Sequence, residues 1–275
     1  MMKRLTAGAL LLAAFLGLPA AAQTRRDVRS VQLRAELQAE LALKNGDYLL
    51  LAVHGENVPL LNGSSFNNRV LGFDVRGAAV TFEHFWNDRW SGGASLQHAS
   101  VSGFKYAAPE LLLRHRSPIG PLTFGQRLGV YRTIPFGGLG RSRANEGSNF
   151  ASLRVDLEQL VPLGSGSLQL RPRLSYEAQT HVRLQKTQAD SEERTIQYTS
   201  LRAEVGCRLG DHIDFTPWFA YTTAYYFTIG QFNPTGNPIG GGRYNAVTPV
   251  VGLDARFTLF AGKAAFERRQ LPTQH

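Results

Sequence analysis

The segment Leu168-Gln169-Leu170-Arg171-Pro172-Arg173-Leu174-Ser175-Tyr176-Glu177-Ala178 decides the fold. Leu168, Leu170, Pro172, Leu174, Tyr176 and Ala178 alternate with Gln169, Arg171, Arg173, Ser175 and Glu177. Successive side chains of a strand point to opposite faces, so this segment as a strand has one apolar face and one strongly polar face. Wound as a helix, the same residues would scatter around the axis. The pattern returns in Ala151–Leu157, where Ser152, Arg154 and Asp156 are polar, and in Leu201–Leu209, where Arg202, Glu204 and Arg208 are. It returns again in Val251–Leu259 around Asp254 and Arg256.

Several such segments run past the 5–6 residues usual in soluble sheets. A tilted strand crossing a bilayer takes about 9–11. Short connections fall at Asn87–Arg89, Ser117–Pro121, Pro162–Ser167 and Gly210–His212. Long polar ones fall at Asn57–Asn68, Pro135–Asn149, His181–Glu193 and Gly230–Arg243. Short turns on one rim and long loops on the other characterise outer-membrane barrels. Trp86, Trp90, Tyr131, Phe150, Trp218, Tyr225, Tyr226 and Phe227 near strand ends suit interfacial girdles. An open sheet edge in lipid would leave backbone groups unpaired, so the sheet must close. The expectation is all-β: an antiparallel transmembrane β-barrel of 10–12 strands. A soluble sandwich burying the apolar faces is the alternative.

The N-terminus carries an address. Lys3 and Arg4 precede the apolar run Leu5–Leu18, Pro19 breaks it, and Ala20-Ala21-Ala22 supplies a small-residue cleavage site before Gln23. This pattern predicts a signal peptide over residues 1–22 and an exported barrel domain over 23–275. Loss of Lys3 and Arg4 lowers the formal charge from +9 to +7. Glutamine after the cut offers no thiol for a lipid anchor. Charged residues make up 19% against the roughly 25% usual in soluble domains, and hydrophobic ones 43%, which argues against disorder. One cysteine excludes a disulfide framework and a multi-cysteine zinc site. Beyond the N-terminus no apolar run is long enough for a membrane helix.

The strands ELLLRHR (110–116), FGQRLGVYR (124–132), SLRVDLEQLVPL (152–163), LQLRPRLSYEAQ (168–179) and LRAEVGCRLGDHIDFTPWFAY (201–221) resemble those of small bacterial outer-membrane barrels of unknown function. The likeness covers Ala78–Phe260 and rests on pattern. It implies a bacterial outer-membrane location, with the lipids and lipopolysaccharide of that membrane and its assembly machinery as partners. In many such barrels a terminal aromatic residue of the last strand is read during assembly. The equivalent here is Phe260, after which a tail of 15 residues runs to His275.

Ten strands can be counted, near Tyr48–His54, Arg69–Trp86, Trp90–Val101, Ala107–Arg116, Leu122–Ile134, Phe150–Val161, Leu168–Gln179, Arg194–Leu209, Ile213–Phe227 and Tyr244–Phe260. An even count puts both ends in the periplasm. Val31–Leu43 also alternates, and Asn45-Gly46 reads as a type I′ hairpin turn. That eleventh strand makes the count odd. Either Val31–Leu43 is a periplasmic helix ended by Gly46, or a twelfth strand is merged within Arg69–Trp86. Twelve is slightly favoured; a bulge near Arg76-Gly77 is the other reading of that segment.

With the apolar face outward, the lumen holds a ladder of Arg127, Arg154, Asp156, Glu158, Arg171, Arg173, Glu177, Arg202, Glu204, Arg208, Asp254 and Arg256, with Glu110 and Arg114 beside it. Mixed signs suit cross-strand pairs that brace the wall. A predominance of arginine would also suit a constriction selecting small anions. The expected role is non-enzymatic, a structural barrel or a narrow passive pore. His98 and Ser100, which share the lipid face of one strand, resemble the pair in outer-membrane phospholipases and lipid A deacylases, though Val101 stands where the deacylase pattern has Asn; the alternative this implies is a membrane-embedded hydrolase of phospholipid or lipid A. Glu110, the nearest carboxylate, falls on the opposite face. A third reading is an adhesin or receptor using Pro135–Asn149 and Gly230–Arg243. The seven histidines show no metal-ligand spacing, the glycine-rich runs 136–140 and 240–242 lack phosphate-loop context, and no cofactor or nucleic acid is implied. Loop cations Arg141, Arg143, Lys186 and Arg243 could meet lipopolysaccharide head groups. Cys207 reads as an inert small hydrophobe.

Overall fold

A computed structural model of the chain describes residues 25–43, 45–58, 73–101, 104–136, 147–163, 168–183, 194–235 and 238–261. The expected signal peptide, residues 262–275, the loop cations Arg141, Arg143 and Lys186, and most of the Asn57–Asn68, Pro135–Asn149 and His181–Glu193 connections lie outside them. The strands are β1 (Arg25–Val28), β2 (Gln32–Ala42), β3 (Tyr48–Asn57), β4 (Val75–Phe85), β5 (Trp90–Val101), β6 (Phe104–Ile119) and β7 (Leu122–Pro135). They continue with β8 (Ser148–Glu158), β9 (Val161–Pro162), β10 (Leu168–His181), β11 (Tyr198–Leu209), β12 (Ile213–Phe232) and β13 (Pro238–Phe260).

Eleven of them, β2 to β8 and β10 to β13, form one closed barrel. Neighbours in sequence pair antiparallel, but closure is parallel: Gln32–Ala42 lies in register with Val250–Phe260. β1 continues that parallel contact from Arg25↔Tyr244 to Val28↔Val247. The expected all-β barrel of 10–12 strands is borne out at eleven, while the preference for an even, wholly antiparallel sheet is corrected. Val31–Leu43 is strand rather than helix, and the described residues 73–86 hold one strand, which starts at Val75 and pairs without a register break through Arg76 and Gly77. An odd number with a parallel seam places Arg25 at the long-loop rim and Phe260 at the short-turn rim.

Local chemistry explains the turns. At Gly46, φ is +86°, which costs glycine nothing, and the Gly46 amide donates to the Leu43 carbonyl at 3.0 Å. The Leu43 amide donates to Asp47 at 2.8 Å, so three residues make this turn rather than the two of the expected type I′ form. The Gly230–Arg243 stretch is largely strand too, because β12 and β13 stay paired out to Phe232↔Pro238.

A cross-strand row followed from Phe260 through Ala42, Tyr48, Glu83, Gly93, Leu112, Gly129, Ser152, Gln179, Tyr198 and Ala224 returns to β13 at Ala246, 14 residues along. Eleven strands with that shear tilt by about 40° and enclose a backbone radius of about 11 Å. Such a cylinder is wider than one filled by small side chains and narrower than an open porin.

Its polarity is inverted. Leu37, Leu51, Val53, Leu96, Leu111, Leu128, Val130, Leu153, Leu174, Leu201, Leu253 and Phe257 are all exposed. Glu36, Gln38, Glu40, Arg154, Arg173 and Glu204 are buried. One close fit depends on glycine. Trp218 lies opposite Gly252, and a Cβ there would clash with the indole edge at Cε2 and Cζ2. Gly252→Val is expected to lower unfolding stability by about 1–3 kcal/mol through overpacking, read from the urea midpoint.

Candidate functional site: a two-zone lumen

Because inward residues recur every second position on tilted strands, the lumen has two zones. The half nearer the short turns is filled by charge pairs. On β10 and β11, the Glu204 carboxylate accepts from Arg173 Nη2 at 2.8 Å and Arg202 Nε at 2.8 Å, with Arg171 Nη2 at 4.0 Å. Arg202 reaches on to Asp254 at 2.7 Å and lies 4.1 Å above the Trp218 ring, whose Nε1–H donates to Asp254 at 2.8 Å. Across the wall, Arg114 Nη1 meets Glu83 at 2.6 Å, and Ser91 Oγ donates to the same carboxylate at 2.6 Å.

The parallel seam is stitched from inside. Arg256 Nε donates to Gln38 Oε1 at 2.7 Å, Arg256 Nη1 to Glu40 at 3.1 Å, and Thr258 Oγ1 to Glu40 at 3.0 Å. Buried ions are tolerated only where partners replace their hydration, and these carboxylates and guanidiniums do so in part for one another, with some guanidinium nitrogens, such as Arg114 Nε, left without a hydrogen bond.

Every residue of the expected ladder faces this interior. Arg127, Arg154, Asp156, Glu158, Arg171, Arg173, Arg202, Glu204, Asp254 and Arg256 are buried, as are Glu110 and Arg114; Glu177 and Arg208 are half-buried. The charge balance differs from the expectation of excess arginine. Among described residues the buried set has seven arginines (Arg114, Arg127, Arg154, Arg171, Arg173, Arg202, Arg256) and nine carboxylates (Glu36, Glu40, Asp47, Glu83, Glu110, Asp156, Glu158, Glu204, Asp254). The N-terminal strands supply the missing acids. Their alternation of Gln32, Arg34, Glu36, Gln38 and Glu40 was the available signal, and it escaped the ladder because the segment also read as a helix.

The half nearer the long loops is open. A cavity of about 540 Å³ is lined by Gln32, Gln97 and Gln179, the hydroxyl residues Thr133, Ser152, Ser200, Thr222 and Thr248, and Tyr106, Tyr131 and Tyr198. Arg127, Arg202 and Trp218 lie toward the charged zone below. Each cavity arginine has its own carboxylate: Arg34–Glu56 at 2.8 Å, Arg127–Glu110 at 2.5 Å and Arg202–Asp254 at 2.7 Å.

His98 and Ser100 lie on the outer face of β5. The His98 Nδ1–H donates to the Tyr106 carbonyl at 3.2 Å, and its ring stacks on Phe136 with centroids 5.3 Å apart. Glu110 points inward to Arg127, so it does not orient this imidazole. Among the described residues, no group of three His, Cys, Asp or Glu side chains could hold a metal ion. Cys207 is half-buried on the outer face.

A comparison with protein-family models gave no match, and a search of curated proteins gave none either.

Proposed function

We propose that this chain is an exported bacterial outer-membrane barrel with a structural, non-enzymatic role. The observation that carries this reading is the inversion of polarity, with a closed wall of leucine, valine and phenylalanine outside and paired charges inside. Water would penalise that exterior, whereas hydrocarbon would not. Trp86 and Trp90, exposed beside the short turns, suit the membrane interface on that side. On the long-loop side the outward cations Arg76, Lys105, Arg132 and Arg243 suit lipopolysaccharide phosphates. Phe260 closes the last strand against Ala42 and Tyr48, where the assembly machinery would read it.

The test is fractionation with heat-modifiability. The protein should partition with outer membranes and change gel mobility only after boiling. A soluble periplasmic protein without a mobility shift would defeat the proposal. The filled half of the lumen favours a structural barrel over a passive pore, so planar-bilayer recordings should show no conductance steps. Stepwise conductance would restore the pore. For His98 and Ser100, the Ser100→Ala variant should leave phospholipid and lipid A hydrolysis at the wild-type level; a loss would favour the hydrolase reading.

A further inference from the structure

We propose that the long-loop half of the lumen is a binding cup for a neutral carbohydrate of roughly two or three sugar units. Its volume, about 540 Å³, falls within the range of small-molecule sites, and it is closed below by the ion-paired zone. The chemistry of its wall selects the ligand class.

A ligand anion would need a cation, but Arg34, Arg127 and Arg202 are each already held by a wall carboxylate at 2.8, 2.5 and 2.7 Å. Binding phosphate or a carboxylate there would break an internal pair, which costs more than a surface pair returns. Of the carboxylates in its wall, Glu56 and Glu110 hold Arg34 and Arg127, and Glu177 accepts from the Gln179 amide. Neither a strong anion nor a strong cation is favoured.

Neutral hydroxyl groups are a different matter. Each can donate and accept, and the cup offers both functions in one connected run. Tyr131 Oη donates to Gln179 Oε1 at 3.0 Å, and Gln179 Nε2 donates to Glu177 Oε1 at 2.9 Å. That run fixes the Gln179 amide and leaves Glu177 with acceptor capacity at the wall. Gln97 and Ser200 add further donors and acceptors. Sugar rings also have apolar C–H faces, and the Tyr106 and Tyr198 rings of the wall can cover these. Paired polar groups, aromatic faces and ion-paired arginines together fit a polyhydroxylated neutral ligand.

The protein carries its own reporter. Of its three tryptophans, Trp218 lines the cup, while Trp86 and Trp90 lie outside beside the turns. In a Trp86→Phe/Trp90→Phe background, the full chain in lauryldimethylamine oxide (a detergent without a sugar head group) is titrated with maltotriose, lactose and chitobiose. Sodium phosphate and spermidine are the charged comparators. Saturable change in Trp218 emission with at least one neutral sugar, and none with the comparators, is expected. Gln179→Ala should weaken it about tenfold or more. Ser200→Phe, which fills the cup without removing a wall pair, should abolish it while the heat-dependent mobility shift persists. No response to any sugar, or a response confined to phosphate or spermidine, would overturn the proposal. Because folding is read by mobility and binding by emission, failure of the cup and failure of the membrane reading are distinguishable.

Discussion

Glu204→Ala should all but abolish the folded, heat-modifiable barrel. This carboxylate serves Arg173 and Arg202 at 2.8 Å and has Arg171 at 4.0 Å, with its own side chain fully buried. Its removal leaves like charges facing one another in a space that water reaches poorly. Breaking a buried pair from one side costs about 3–5 kcal/mol. A hub shared by several cations should fall at the upper end. The measurement is the fraction of heat-modifiable protein after refolding from urea, compared across a urea series. Glu204→Gln keeps the acceptor without the charge and should be intermediate. The double variant Glu204→Leu/Arg173→Met removes both members of one pair and should recover part of the loss. Wild-type behaviour of Glu204→Ala would show that the inner charges do not brace the wall.

The second large effect concerns the seam. Leu37, exposed on the outer face of β2, and Ala255, buried on β13, are register partners. With Cys207 replaced by serine, Leu37→Cys and Ala255→Cys should form an oxidant-dependent cross-link joining the two ends of the sheet, visible as a mobility change on a denaturing gel. An even, antiparallel closure would not place this pair in register, so absence of the cross-link would reject the parallel seam. From the inside, Arg256→Ala removes the contacts to Gln38 at 2.7 Å and Glu40 at 3.1 Å. It should destabilise the barrel by about 3 kcal/mol or more. The exchange Arg256→Glu/Glu40→Arg should return part of that. These contacts join residues more than 200 positions apart, so they form only once the whole sheet has curled.

Much of this was legible along the chain. The alternation in Leu168–Ala178 and Leu201–Leu209 identifies each strand and its two faces, because the side-chain period of a strand is a local property of the backbone. Parity alone therefore assigned Arg171, Arg173, Arg202 and Glu204 to one face, and His98 to the face opposite Glu110. The strand number was harder. Val31–Leu43 is rich in leucine, alanine, glutamate and glutamine, residues with high helix propensity, and its alternation competes with that preference. Pairing with Val250–Phe260 resolved the conflict, a contact no local window can reveal.

A β-structure with one apolar and one charged face per strand follows from the residue order, since both features come from residue type at a spacing of two. Closure at eleven strands, with the first and last lying parallel, is visible only in the folded chain. The tertiary structure also decided that the acids of β2 and β4 offset the arginines, and that charge fills one half of the lumen while the other stays open. Those outcomes depend on register and shear summed around the whole barrel, and they arise only when the last strand meets the first.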